Sequence, residues 1–342
     1  MEKVRRVGWA AILLFGMGLS LSPNPAGGVG QTNVTPSPSI PWNIARIKAP
    51  QAWPITQGSP EIVVAVIDSG INFALPELGE VRWTNPKEAL NGLDDDGNGY
   101  IDDIYGWDFR ENVPAHLRRT PLHYHGTAVA SVIAAKAKEV TGVAPKVRLM
   151  DVRFLDSRGL FYSGDWTKLA RAIDYAVRNG ARIINLSLHA KLSPPVEVIE
   201  ALRRAWERGV IVVTIAGNDG REGVNLLGRL EFVLTVAATD KADRPAPFSN
   251  FGAEVDVSAP GAEIPALFAQ GTPGTFSGTS FAAPHVSGAL ALILSANPKL
   301  SGRGAVEVLL RTSENLPSLD HRFGVGLVDA ASAVAQAVRQ PS

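Results

Sequence analysis

The chain reads as an α/β protein, a doubly wound, mainly parallel sheet with helices on both faces. Three observations predict this class. Short continuous apolar runs rich in β-branched residues, such as Ile62 to Ile67, recur along the chain and mark strands buried on both faces. Segments of helical period separate them, so strand and helix alternate in the rhythm of βαβ units. At 342 residues and 45% hydrophobic, the chain has enough apolar surface for one large core.

The elements follow in order. Lys3, Arg5 and Arg6 precede the apolar run Val7 to Leu21, which Pro23 and Pro25 end. A basic start, a short apolar stretch and a breaker form a secretory signal, assigned to residues 1–26. The protein is therefore expected to be secreted or extracytoplasmic, with no stable membrane span unless the leader stays uncleaved as an anchor. Residues 27–40 are rich in Gly, Ser, Thr and Pro and read as a linker. Residues 41–338 are expected to form one catalytic domain.

Within it, the strand Ile62 to Ile67 delivers Asp68 to its carboxyl end, where open α/β sheets place their sites. A helix of small residues runs from Gly126 to Ala135, opened by His125. Val147 to Val152 is a strand, and Asp165 is placed to cap a helix reaching Asn179. Ile183 to Leu188 is a strand, and Pro194 and Pro195 lead into a helix through Trp206 that Gly209 closes. Val210 to Ile215, Phe232 to Ala237 and Val255 to Val257 add further strands. An apolar helix covers Phe281 to Leu294, with two more near Gly304 to Arg311 and Asp329 to Val338.

Composition removes several functions. Lys+Arg and Asp+Glu both number 33, so the net charge is zero, and neither a basic field for nucleic acid nor an acidic tail exists. With no cysteine, thiol catalysis and disulfides are excluded, and stability must come from packing or bound ions.

One insertion has its own chemistry. Residues 91–103 read Asn-Gly-Leu-Asp-Asp-Asp-Gly-Asn-Gly-Tyr-Ile-Asp-Asp. With Asp94 first, Asp96 and Asn98 fall third and fifth, Gly99 sixth and Asp102 ninth, the opening of an EF-hand-like calcium loop. Carboxylates so dense repel one another unless a cation neutralises them. Calcium is expected on Asp94, Asp96, Asn98 and Asp102, with Ile101 as the loop's apolar anchor. The twelfth position is Tyr105 rather than Glu, so a further ligand must come from elsewhere. A solvated acidic turn is the plainer alternative.

Ser280 sits where the Gly-rich approach Thr275 to Thr279 becomes a helix. A hydroxyl there feels the positive end of the helix dipole and has unpaired N–H groups beside it, donors suited to an oxyanion next to an attacking serine. Taken alone, Ser280 reads as a helix cap, Asp68 as a turn aspartate and His125 as a helix-start histidine.

Taken together they read differently. Val64-Ala65-Val66-Ile67-Asp68-Ser69-Gly70, His125-Gly126-Thr127 and Gly278-Thr279-Ser280-Phe281-Ala282-Ala283-Pro284 occur in the order Asp, His, Ser, and the sequence resembles the subtilisin-like (subtilase) serine peptidases. Ala216-Gly217-Asn218 resembles the family's oxyanion asparagine, and Pro41 to Ile47 resembles the opening of its mature domain. The resemblance covers roughly Pro41 to Ala337. It implies a serine endopeptidase acting on polypeptides as a monomer, without an organic cofactor. In this scheme Ser280 is the nucleophile, His125 the general base, Asp68 the residue that orients it, and Asn218 an oxyanion donor.

Three departures and one shared feature stand out. Ala128 replaces a common histidine at a position expected to face packing. His189, after Leu186-Ser187-Leu188 on the expected substrate-binding edge, replaces a common glycine and leaves specificity open. Acidic inserts like residues 91–103 occur in some subtilases. Where the family commonly carries a propeptide only the linker stands, so folding is expected to proceed unaided or with a separate assistant chain. Two other functions compete: a non-catalytic or latent binding protein of the same fold, and an esterase. The Gly-x-Ser-x-Gly elbow of α/β-hydrolases is absent around Ser280.

Overall fold

The computed structural model describes residues 40–137, 139–190 and 192–340. The expected leader, and the linker apart from Ile40, lie outside them.

Among the described residues, eight of the ten strands form one sheet. In chain order they are β1 (Val63–Asp68), β2 (Gly106–Asp108), β3 (Val113–Pro114), β4 (Arg148–Arg153), β5 (Ile183–Leu186), β6 (Ile211–Ile215), β7 (Leu234–Thr239) and β8 (Val257–Pro260). Their spatial order is β3-β2-β4-β1-β5-β6-β7-β8. Every neighbouring pair is parallel except β2–β3. From β1 the chain builds outward on one side, then returns to β5 on the other. The strand order therefore reverses at β1, and a cleft opens at the carboxyl ends of β1 and β5. A separate antiparallel pair joins β9 (Ile264–Leu267) and β10 (Pro273–Phe276).

Helices cover both faces, as expected. The short α1 (Trp42–Arg46), α2 (Ala49–Ala52) and α3 (Pro76–Gly79) precede α4 (Tyr124–Ala134), α5 (Trp166–Arg178) and α6 (Val196–Glu207). After them come α7 (Thr279–Ala296), α8 (Gly302–Thr312) and α9 (Ala330–Arg339). Strand side chains alternate between faces. Val64 and Val66 of β1 pack with α4, α7, α8 and α9, whereas Val63, Ala65 and Ile67 pack with α5 and α6. Among the described helices α7 alone is long and apolar enough to cross a membrane, yet it is almost wholly buried in this core. Its uniform apolarity belongs to a central helix.

Two local expectations change. Asp165 stands before α5, but its carboxylate accepts from Tyr162 N–H (2.9 Å) and binds Arg110, so it closes the preceding turn instead of capping the helix. Strand β5 ends at Leu186, leaving Ser187 to His189 beyond the paired ladder.

Candidate active site

Asp68 is the last residue of β1 and fully buried. Its Oδ1 accepts from Ser69 N–H at 2.7 Å, and both carboxylate oxygens lie 2.9 Å from His125 Nδ1. A carboxylate can only accept, so Nδ1 carries the proton and Nε2 is left as the basic nitrogen. Burial disfavours the imidazolium, but Asp68's charge and hydrogen bond outweigh it and hold His125 above the ordinary histidine value.

The pair is held by close backbone packing. Ser69 Oγ donates to His123 C=O (3.0 Å) and accepts from Gly126 N–H (2.9 Å), locking the start of α4 to the end of β1. A Cβ on Gly126 would come within 2.5 Å of Gly70 O, so only glycine allows this approach. His123 caps α4, its Nδ1 accepting from His125 N–H. Ala128 is fully buried beside Phe276 and Phe281 in a small apolar cluster, as its position implied.

Ser280 stands in the first turn of α7, 8% exposed. The next residue, Phe281, packs its ring 5.7 Å from that of His125. Ser280 and His125 line one cavity of about 480 Å³, whose other walls include Leu155, Phe161, Trp166 and Leu188. Asn218 follows β6. Its Oδ1 accepts from both Thr279 N–H and Thr279 Oγ–H at 2.8 Å. These donors fix the amide orientation and turn the Nδ2 donor toward the turn at Gly278. A Cβ built on Gly278 (φ +154°) would lie 3.6 Å from Asn218 Nδ2 and 3.7 Å from Ser280 N. Asn218 Nδ2 and the Ser280 N–H therefore both lie close to the Gly278 turn.

His189 separates the apolar cavity from a second one of about 300 Å³, and its Nε2 lies 3.5 Å from Asp219 Oδ2. The second cavity is polar, with Asp219, Arg221, Glu222 and Arg229 on its walls.

The acidic insertion folds differently from its template. Asp94 and Asp96 converge with Glu88, one carboxylate oxygen of each lying within 4.8 Å of the others. Asp102 instead accepts from Asn91 N–H and Gly92 N–H, both at 3.0 Å, and takes no part in this group. Asn98 Oδ1 accepts from Tyr100 N–H and its Nδ2 donates to Asp103. Ile101 is half exposed, so it is not the anchor; Tyr100 is, buried edge-on against Trp107 (4.9 Å) and Tyr175 (5.0 Å). Glu88 Oε1 accepts from Asp96 N–H, while its Oε2 is buried without a hydrogen-bond partner. Burial and the nearby Asp103 and Asp96 charges hold the Glu88 carboxyl above the ordinary glutamate value. Three convergent carboxylates, one of them with an orphaned buried oxygen, offer part of the oxygen set that a hard cation takes.

Comparison with known proteins decides the family. The sequence model of the Subtilase family matches residues 59–326. The chain belongs to the subtilase family. It is 34% identical to thermitase of Thermoactinomyces vulgaris over 84% of this chain and 94% of the relative. It is 33% identical to subtilisin Savinase of Lederbergia lenta over 86% of this chain and 98% of the relative. Among solved structures it resembles the prenylagaramide maturation protease PagA, with a TM-score of 0.69 and 28% identity over 86% of this chain and 99% of that one. This subtilase is a serine endopeptidase with the subtilisin-like α/β fold, and its substrates are polypeptides.

Proposed function

We propose that this subtilase is an exported endopeptidase that cleaves peptide bonds through Asp68, His125 and Ser280 by way of an acyl-enzyme. The observation that carries the reading is the Asp68–His125 pair, both oxygens 2.9 Å from Nδ1, opening onto the cavity that Ser280 lines.

Ser280 Oγ attacks the scissile carbonyl as its proton passes to His125 Nε2. Asp68 keeps the ring in the tautomer that can accept it and stabilises the resulting imidazolium. The oxyanion takes hydrogen bonds from Asn218 Nδ2 and Ser280 N–H, a side-chain donor of this kind contributing about 10²–10³ in kcat. His125 then protonates the leaving amine. Water repeats the sequence on the acyl-enzyme, restoring the Ser280 hydroxyl and releasing the acid. The apolar walls of the larger cavity favour substrates that place a large apolar side chain there.

Export rests on the leader of Lys3, Arg5, Arg6 and the run Val7 to Leu21. The domain is taken to act as a monomer over residues 41–338. Calcium held by Glu88, Asp94 and Asp96 would neutralise their mutual repulsion and pin the insertion to the domain through the Tyr100 anchor.

Casein cleavage by wild type, with loss of about 10⁶-fold in kcat in a folded Ser280→Ala variant, is the expected outcome. Wild-type cleavage that survives unchanged in Ser280→Ala would refute the mechanism. For calcium, chelation should lower the melting temperature of wild type and leave that of Asp94→Ala/Asp96→Ala unmoved; an equal response in both removes the site.

A further inference from the structure

Pro284 lies inside α7, four residues after Ser280. In a helix, residue 284 would donate its N–H to the Ser280 carbonyl, but proline has none, and its ring crowds that same carbonyl. The helix therefore leaves an acceptor orphaned on the residue that carries the nucleophile. Ser280 is buried, so an unpaired carbonyl here would be costly.

The structure fills the gap from the end of β5. Ser187 Oγ donates to Ser280 C=O at 2.9 Å. Its single proton is thereby committed, so its oxygen accepts, from Asn185 Nδ2 at 3.0 Å. Asn185 Oδ1 accepts in turn from Ser287 Oγ at 2.9 Å. All four residues are buried, and each hydrogen bond has one permitted direction.

The register explains why these residues meet. Asn185 and Ser187 are two apart at the end of β5, and the hydrogen bond between them puts their side chains on one side. Ser280 and Ser287 are seven apart, two turns of one helix, and also share a face. One position of β5 and one just beyond its end thus grip two helix positions, the chain of hydrogen bonds starting at Ser280 and ending at Ser287 of the same helix. Asn185 belongs to β5 and Ser187 immediately follows it.

We propose that Ser187, backed by Asn185 and Ser287, is a positioning residue for the nucleophile: it replaces the helix hydrogen bond that Pro284 deletes and holds Ser280 in register with His125 and Asn218. The proposal rests on Ser280 being the nucleophile. Ser187 touches the nucleophile's backbone and needs no contact with substrate to act, so its loss should appear in kcat and in the rate of Ser280 acylation. A misplacement of this kind costs about tenfold or more.

The test is a double-mutant cycle between Ser187→Ala and Pro284→Ala, the second of which restores the N–H. The readouts are kcat on a peptide amide and the rate of labelling by a fluorophosphonate. In the wild-type background, Ser187→Ala should slow both about tenfold with KM within about twofold. In the Pro284→Ala background, where the helix serves its own carbonyl, the same substitution should cost less than about twofold. An equal factor in both backgrounds, or no loss in either, overturns the proposal. If Ser187→Ala alone does not fold, the double variant compared with Pro284→Ala decides: rates within about twofold support the proposal, and a tenfold deficit overturns it. Ser280→Ala, run alongside, separates the two claims. Labelling that persists in that variant removes the nucleophile assignment itself, whereas its loss together with an uncoupled cycle removes only the role of Ser187.

Discussion

The two sides of the cleft are supported by opposite chemistry. Behind Ser280 the contacts are neutral: the Ser287–Asn185–Ser187 chain, the Asn218–Thr279 clamp, and His285, whose ring bridges Phe281 C=O (2.7 Å) and Asn43 Nδ2 (2.8 Å). Beneath the loop that follows Asp68 the contacts are ionic. Arg153, fully buried, donates to Asp108 at 3.0 Å and to Glu111 at 3.2 Å. Arg118 binds Asp151 at 2.6 Å, and Asp151 accepts from Ile71 N–H, three residues after Asp68. Neutral donors around an oxyanion stabilise it without adding a counter-ion that would hold product or salt. Buried charges give a stiffer frame, but each partner depends on the other: losing one leaves an uncompensated charge, whereas losing a neutral partner leaves one unpaired polar atom. The two frames should therefore break differently.

The largest effect is chemical. Asp68→Asn should lower kcat by about 10⁴-fold by favouring the wrong tautomer of His125. The acid limb of the wild-type rate profile should lie above the ordinary histidine range, because Asp68 raises His125 and only its neutral form accepts the proton. With Asp68 neutralised, that limb should move to lower pH. A residual activity with an unmoved limb would separate His125 from Asp68.

Stability distinguishes the frames next. Arg153→Met leaves the buried Asp108 with only the longer ionic contact to Arg118 (3.5 Å) and should cost about 3–5 kcal/mol, with much of it recovered in Arg153→Met/Asp108→Asn. Ser287→Ala strands only Asn185 Oδ1 and should cost about 1–3 kcal/mol. Denaturant titration of the three variants measures both, and equal costs would erase the distinction.

On the neutral side pH acts through His285. Burial lowers it to about 4, whereas the hydrogen bond to Phe281 raises it. The unfolded chain binds its proton near pH 6.5 and the folded protein does not, so this contribution is complete above pH 6.5. It is lost as pH falls toward 4, up to about 3 kcal/mol. A His285→Gln variant should show a shallower loss of stability between pH 6.5 and 4; a slope identical to wild type would count against the buried neutral histidine.

The sequence made some of this legible and hid the rest for physical reasons. Strands β1 and β4 to β7 announce themselves because burial on both faces favours largely apolar runs, whereas β8 (Val257–Pro260) shares only Val257 with the expected strand Val255 to Val257, its apolar run being broken by Ser258. Asp68, His125, Asn218 and Ser280 each lie in a short contiguous motif at the end of such a strand or the start of a helix. Glu88 does not: it joins Asp94 and Asp96 only because the chain folds back, and the spacing of a linear template gave that place to Asp102. Ile101 fitted the template, but the aromatic socket of Trp107, Phe109 and Tyr175 favoured Tyr100, a pairing visible only in three dimensions. Strands β2 and β3 are short and flanked by charges that read as surface, whereas Asp108 and Arg153 satisfy each other in the interior. The role of Ser187 did have a sequence signal, a proline four residues after the helix-start serine, which implies an orphaned carbonyl and a donor from elsewhere.

The most direct measurement is labelling of the folded protein by a fluorophosphonate, with the modified residue located by peptide mass spectrometry. One adduct is expected, on Ser280, absent in Ser280→Ala and greatly slowed in Asp68→Asn. Folded wild-type protein that takes no label, or takes it on another serine, would contradict it.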